Sequence, residues 1–166
     1  MPKTSAALLV YRYTPADSST GDRLEVLIGH MGGPFWARKD DAAWSIPKGE
    51  YEPPEEPRVA ARREFEEEMG SPAPDGDYLE LGNARQSSGK IVTTFAVQGD
   101  FDVTTFSSNE FEMEWPRGSG RMQAFPEMDR AGWFDLTTAA VKLVKGQVPI
   151  LTTLTDALAR RHDLPA

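Results

Sequence analysis

The stretch Gly49-Glu-Tyr-Glu-Pro-Pro-Glu55-Glu-Pro-Arg-Val-Ala-Ala-Arg-Arg63-Glu64-Phe65-Glu-Glu67-Glu68-Met69-Gly70-Ser71 sets a glycine ahead of an unusually acidic run. Its prolines at 53, 54 and 57 suit a loop entering a first helical turn, where a missing N–H costs nothing. Glu55 and Glu56 suit the positive end of a helix dipole, and Gly70 is a natural stop. The pattern predicts a helix over 54–69. On that helix Glu64, Glu67 and Glu68 stand at i, i+3 and i+4 and share one face, with Ala60 below leaving room. Ala61, Phe65 and Met69 repeat every four residues as the apolar stripe that docks the helix on a core.

Like charges at helical neighbour spacing cost a few tenths of a kcal/mol per pair, so three on one face call for something positive among them. A hard divalent cation fits, and oxygen-only ligation suits Mg2+ or Mn2+. Taken alone, such a face is equally what a solvated surface looks like. The wider spacing bears on the choice. Gly49, Glu55, Arg63, Glu64, Phe65, Glu67, Glu68 and Gly70 fit Gly-x5-Glu-x7-Arg-Glu-apolar-x-Glu-Glu-x-Gly, a coincidence with chance odds on the order of 10⁻⁹ at average residue usage. This resembles the box of the Nudix hydrolases, the MutT-like family. One position departs: Ser71 stands where an aliphatic residue is usual, which bears on packing at the helix end. The lead-in Trp44-Ser-Ile-Pro-Lys48 is also familiar in several branches of the family.

The resemblance implies an α/β fold, the Nudix α/β/α sandwich with a mixed sheet between helices, and a metal-dependent hydrolase that cleaves the diphosphate linkage of a nucleoside diphosphate derivative. It implies metal positions at Gly49, through its carbonyl, and at Glu64, Glu67 and Glu68. It places Lys48 against phosphate, and gives Arg63 the task of orienting a box glutamate such as Glu55. The proton acceptor stays open between Glu64 and a later loop glutamate, Glu127 or Glu110. Dinucleoside polyphosphates, ordinary or oxidised nucleoside triphosphates, ADP-ribose and capped RNA all remain as substrates. The lead-in leans to the first, while residues 82–89 hold neither the proline nor the tyrosine that marks some relatives. The alternative is a Nudix fold used as a nucleotide-sensing module without turnover, against which the intact Arg63, Glu64, Glu67 and Glu68 stand.

Composition sets bounds on these readings. The 166 residues suit one domain, 1–166, with enough chain to bury a core without staples. A net charge of −8 and a pI near 4.8 disfavour nucleic acid or a membrane surface as the main partner and leave room for a small phosphorylated ligand held through local basic residues and a metal, which the resemblance implies to be a nucleotide. With no cysteine there is no disulfide framework and no thiolate chemistry. The apolar start is too short for a signal peptide or membrane helix, so a cytoplasmic protein is expected. Nothing in the sequence speaks to oligomeric state.

Elsewhere the chain reads as strands, loops and two later helices. Ser5 to Tyr13 and Leu24 to His30 read as strands about a turn at residues 14–21, followed by a loop over 31–43 whose Phe35 and Trp36 serve either as a pocket wall or as core plugs. Trp44 to Pro47 reads as a short strand, Tyr78 to Gln86 as a weak one, and Ile91 to Val97 as the strongest, central one. Phe111 to Trp115 alternates, with Glu112 and Glu114 outward. Arg117-Gly-Ser-Gly-Arg121 is a loop whose two guanidinium groups suit phosphate, though paired loop arginines are also ordinary surface. Thr137 is read as the cap of a helix over 139–145 closed by Gly146. Pro149 is read as opening a last helix with Ile150, Leu151, Leu154 and Leu158 inward.

Overall fold

The computed structural model describes residues 3–15, 22–85 and 88–163. Strand β1 (Thr4–Pro15) explains the architecture, because it is apolar on both faces: Ala7, Leu9 and Tyr11 enter one core cluster, and Ala6, Leu8 and Val10 the other. A strand buried on both sides reads as a continuous apolar run and needs a layer over each face. Antiparallel β2 (Asp22–Met31) pairs with it along residues 11–15, and β6 (Ile91–Gln98) runs parallel to it along residues 4–11. The main path is completed by β3 (Trp44–Ser45) beside β2 and β5 (Leu79–Arg85) at the β6 edge. Two further strands join off that path, β4 (Lys48–Tyr51) on β1 and β9 (Met128–Asp135) on β2, to give a seven-stranded mixed sheet. A separate hairpin is formed by β7 (Glu110–Glu114) and β8 (Met122–Pro126).

Helix α1 (Pro57–Met69) covers one face of the sheet, burying Ala60, Ala61, Phe65 and Met69 completely. Burial of the Phe65 and Met69 side chains contributes roughly 1.5–3 kcal/mol each. Helices α2 (Leu136–Lys142) and α3 (Val148–Asp163) cover the other face, where Ala139, Leu151, Leu154 and Leu158 are buried. This is the α/β/α sandwich implied by the sequence. Among the described residues no helix is long and apolar enough to cross a membrane.

Four local expectations need correction. Helix α1 starts at Pro57 rather than Pro54, because Glu56 precedes a proline and is held extended (φ −80°, ψ 150°), so it caps the helix instead of continuing it. Glu55 and Glu56 therefore lie ahead of the first turn. Residues 48–51, read as the approach to a loop glycine, form a strand; Lys48 to Tyr51 carry no apolar pattern, and their place is fixed by backbone pairing with β1. The cap of α2 is Asp135, whose carboxylate accepts from the Thr138 N–H at 2.8 Å, so the helix begins before Thr137. Gly146 sits in a separate 3₁₀ turn, Lys145–Gln147, beyond the end of α2. Ser71 does no harm to the helix end, for Gly70 closes α1 in the left-handed region (φ 82°) and donates to the Glu66 carbonyl. Most of the turn at 14–21, and Gln86 at the end of the weak strand, lie outside the described residues.

Candidate active site

Three pieces of chain meet at the acidic face of α1. Strand β4 passes in front of it, close enough that a Cβ on Gly49 would fall 2.0 Å from Glu64 Cδ and displace that carboxylate. Residues 107–109 cross the C-terminal end of the helix, where Ser107 and Asn109 donate their N–H groups to the Met69 and Glu67 carbonyls (3.2 and 2.9 Å). They thus satisfy carbonyls that a helix end leaves unpaired. Glu127, between β8 and β9, donates its N–H to the Asn109 carbonyl at 2.8 Å, and its own carbonyl accepts from Gly32 at 3.0 Å. The result is a cleft of about 460 Å3 walled by Glu64, Glu67 and Glu68 of α1, by Lys48, Gly49 and Glu50 of β4, and closed by Lys90, Asn109 and Glu127.

Arg63 stands behind this face, as its position about 100° from Glu64 on the helix requires. Its guanidinium forks onto Glu55 (Nε to Oε2 2.8 Å, Nη2 to Oε1 2.9 Å), and its Nη1 donates to Glu64 at 2.8 Å and Glu67 at 3.3 Å. The pairing raises the already high pKa of Arg63 and holds Glu55 below the usual carboxylate range. Burial pushes Glu64 up despite Arg63. Glu68 is pushed further, up to about 8, first by burial and then by the charge of Glu64; Lys48 opposes the shift only in part. Burial, followed by the charge of Lys90, lowers Lys48.

The donor set fits a hard divalent cation. Every ligand candidate is a carboxylate or carbonyl oxygen, and Glu68 Oε2 is buried with no hydrogen-bond partner, an orphaned acceptor in the middle of the cluster. As placed, no group of three or more His, Asp or Glu side chains among the described residues stands at metal-holding spacing. Arg63 engages Glu55, Glu64 and Glu67, three of the four box carboxylates, so ligation asks Glu64 and Glu67 to turn from its Nη1 towards Glu68.

Of the residues singled out in the sequence, the cleft brings together Lys48, Gly49, Glu64, Glu67, Glu68 and Glu127. Glu110 pairs with Pro126 at the base of the hairpin and does not line the cleft. Arg117 and Arg121 sit at the hairpin's far turn, also outside it; Arg117 lies over the ring of Phe35, 6.0 Å from its centroid. Phe35 is half exposed and meets Trp115 edge-on, while Trp36 packs against the core on the α2 and α3 side. Besides Glu50 of β4, Asn109 and Lys90 are the cleft residues that sequence reasoning missed. Neither carries a local signal: Asn109 is delivered by backbone bonds to a helix end, and Lys90 is a single lysine after a turn glycine.

On the other face, a cavity of about 560 Å3 lies between the sheet and the start of α3, lined by Ala7, Ile46 and Val92 below and by Gln147 and Ile150 above. Gln147 is buried, accepting from the Ile46 N–H at 2.8 Å and donating to Ser45 Oγ at 2.9 Å. Ile46 lines this cavity and Lys48, two residues on, lines the cleft.

The sequence model of the NUDIX domain matches residues 18–154. The chain belongs to this family. With its box complete it is a Nudix hydrolase, an enzyme of phosphorus-containing anhydrides, and Nudix hydrolases use divalent metal ions. No curated protein matches it significantly in sequence. Among solved structures it is similar to a MutT/Nudix family protein of Listeria innocua (16% identity, 98% of each chain covered, TM-score 0.65). It is also similar to the NUDIX domain of Shewanella oneidensis NrtR, solved with ADP ribose (14%, 95% of this chain and 89% of that one, TM-score 0.60). A third likeness is to a C. elegans Ap4A hydrolase binary complex (20%, 95% and 98%, TM-score 0.56). At these identities the likeness is one of fold.

Proposed function

We propose that this Nudix hydrolase cleaves the diphosphate linkage of a nucleoside diphosphate derivative, of the dinucleoside polyphosphate, nucleoside triphosphate or ADP-ribose type. The reading places the diphosphate in the carboxylate cleft and the nucleoside in the cavity. The observation that carries it is the orphaned Glu68 carboxylate oxygen inside a cleft lined by five glutamates, with a cavity of about 560 Å3 on the other face of the sheet. That two proteins of this fold are described with ADP ribose and as an Ap4A hydrolase supports a small nucleotide.

A Mg2+ or Mn2+ ion held by Glu64, Glu67 and Glu68, with the Gly49 carbonyl, supplies charge neutralisation at the diphosphate and makes water a better nucleophile. The chain's own groups do the rest. Lys48 faces the phosphates, with its ammonium poised by burial. Arg63 touches no substrate and fixes the side chains of Glu55, Glu64 and Glu67. Water adds to phosphorus, the bridging P–O bond breaks, and the proton passes to a carboxylate. Glu64 and Glu127 are the two candidates; Glu127 has the freer side chain, with no ion pair among the described residues.

Product chromatography over a nucleotide panel with Mg2+ tests the reading. A nucleoside monophosphate released from at least one member, and lost on chelation, is expected. A panel left intact with metal present would reject it.

A further inference from the structure

His30 is completely buried near the end of β2 and has no part in the chemistry above. Its Nδ1 lies 2.8 Å from Asp129 Oδ1, and its Nε2 meets the Lys39 carbonyl. The ring also makes a T-shaped contact with Trp44, 5.4 Å between centroids. It therefore ties the start of β9 to the loop over 31–43. Arg130 donates to the same Asp129 oxygen at 3.3 Å, so the carboxylate is held from two sides.

Asp129 is the extra residue of a β-bulge. His30 pairs with Arg130 and Met31 with Met128, whereas an unbroken ladder would set Met31 opposite Asp129. Packing records the same insertion: Met128 and Ala131, three residues apart, both enter the core beneath α1, a spacing that the period of two forbids without an extra residue. Met128 Sδ fills the space over Gly29, where a Cβ would fall 2.0 Å from it. The bulge also decides where the residue before Met128 stands. Glu127 accepts from the Gly32 N–H at 3.0 Å, donates its own N–H to the Asn109 carbonyl at 2.8 Å, and lines the cleft. A ladder without the bulge would shift Glu127 by one residue, about 3.4 Å, and turn it to the other face.

We propose that His30 is a positioning residue for Glu127: by gripping Asp129 it pins the bulge, and the pinned bulge presents the Glu127 carboxylate to the cleft. His30 itself does not line the cleft and touches no substrate. The inference rests on the hydrolytic reading above for the task of Glu127, while the hold on residues 127–129 can be read without turnover.

Amide hydrogen exchange and steady-state kinetics on wild type, His30→Gln, Asp129→Ala, Asp129→Asn and Glu127→Gln form the experiment. The Asp129 side chain is 28% exposed, so its variants serve where the buried histidine cannot be replaced without unfolding. Asp129→Ala and His30→Gln should speed exchange of the Glu127 and Gly32 amides at least about tenfold and leave the ladder between β1 and β6 unchanged. Both should lower kcat about tenfold with KM near wild type, and Asp129→Asn, whose amide oxygen still accepts, should keep most of the rate. Added to Glu127→Gln, Asp129→Ala should change kcat by less than about twofold, because the two changes act on one group. Unchanged exchange in Asp129→Ala, full additivity of Asp129→Ala with Glu127→Gln, or wild-type turnover in Glu127→Gln would each overturn the proposal. A wild-type chain that gives the exchange pattern but cleaves no nucleotide would leave the hold of His30 on Glu127 standing and reject hydrolysis instead.

Discussion

The two faces of the sheet are packed by the same kind of apolar stripe and finished in opposite ways. On the α1 face the stripe of Ala61, Phe65 and Met69 leaves an adjoining row of glutamates at a cleft, and β4 closes on them so that a Cβ on Gly49 would displace the Glu64 carboxylate. On the α2 and α3 face a mainly apolar cavity lies beside the start of α3, with Gln147 in its wall bonded to the Ile46 N–H and Ser45 Oγ. Crowded, unsatisfied carboxylates are suited to an ion and a bond to be broken. A mainly apolar room is suited to selecting a shape. Substitutions on the two faces should therefore separate rate from affinity.

The largest effect belongs to the acidic row. Glu67→Gln or Glu68→Gln should lower kcat at least ~100-fold in steady-state assays with Mg2+, since each removes several kcal/mol of ion-centred stabilisation. Wild-type turnover in both would remove the ion from that face. Arg63→Ala should cost about tenfold in kcat and leave KM nearly unchanged, because the guanidinium orients carboxylates from behind. If KM alone rose, Arg63 would be a phosphate ligand and the two-face division would need redrawing. On the other side, Ala84→Trp narrows the cavity from the exposed edge strand β5. It should raise KM about tenfold for a nucleotide substrate with kcat little altered.

This division also marks what the sequence made legible. The box could be read because one helix carries its arginine and three of its four glutamates, so that spacing alone brings Glu64, Glu67 and Glu68 together and turns Arg63 away. The two-sided burial of β1 could be read from its unbroken apolar run, and with it the layered fold. Asn109, Lys90 and the β4 strand could not, because their positions come from backbone bonds between segments far apart in the chain. Glu127 was readable only as one loop glutamate of two, and its partnership with Asn109 is what separates it from Glu110. The loop arginines 117 and 121 had attractive chemistry, but the hairpin carries them away from the cleft wall.

A smaller effect follows from the buried acid. Glu68 titrates near 8 in the folded chain against 4.5 when unfolded, so between those values the folded state keeps a proton that the unfolded state has lost. In chelator, stability supplied by the neutral acid is complete below pH 4.5 and is lost as pH rises through about 8. Thermal melts across that range should show Tm falling with pH in wild type and a flatter profile in Glu68→Gln. An equal slope in the two would mean that Glu68 is charged in the metal-free fold.

The central claim is that the glutamates of α1, drawn away from Arg63, hold a divalent ion. Titration of Mn2+ followed by the loss of its free-ion electron paramagnetic resonance signal reads that directly, in wild type and in the Glu67→Gln, Glu68→Gln double variant. The account predicts saturable binding in wild type, weakened at least ~100-fold in the double variant. Equal Mn2+ affinity in the two proteins would contradict it.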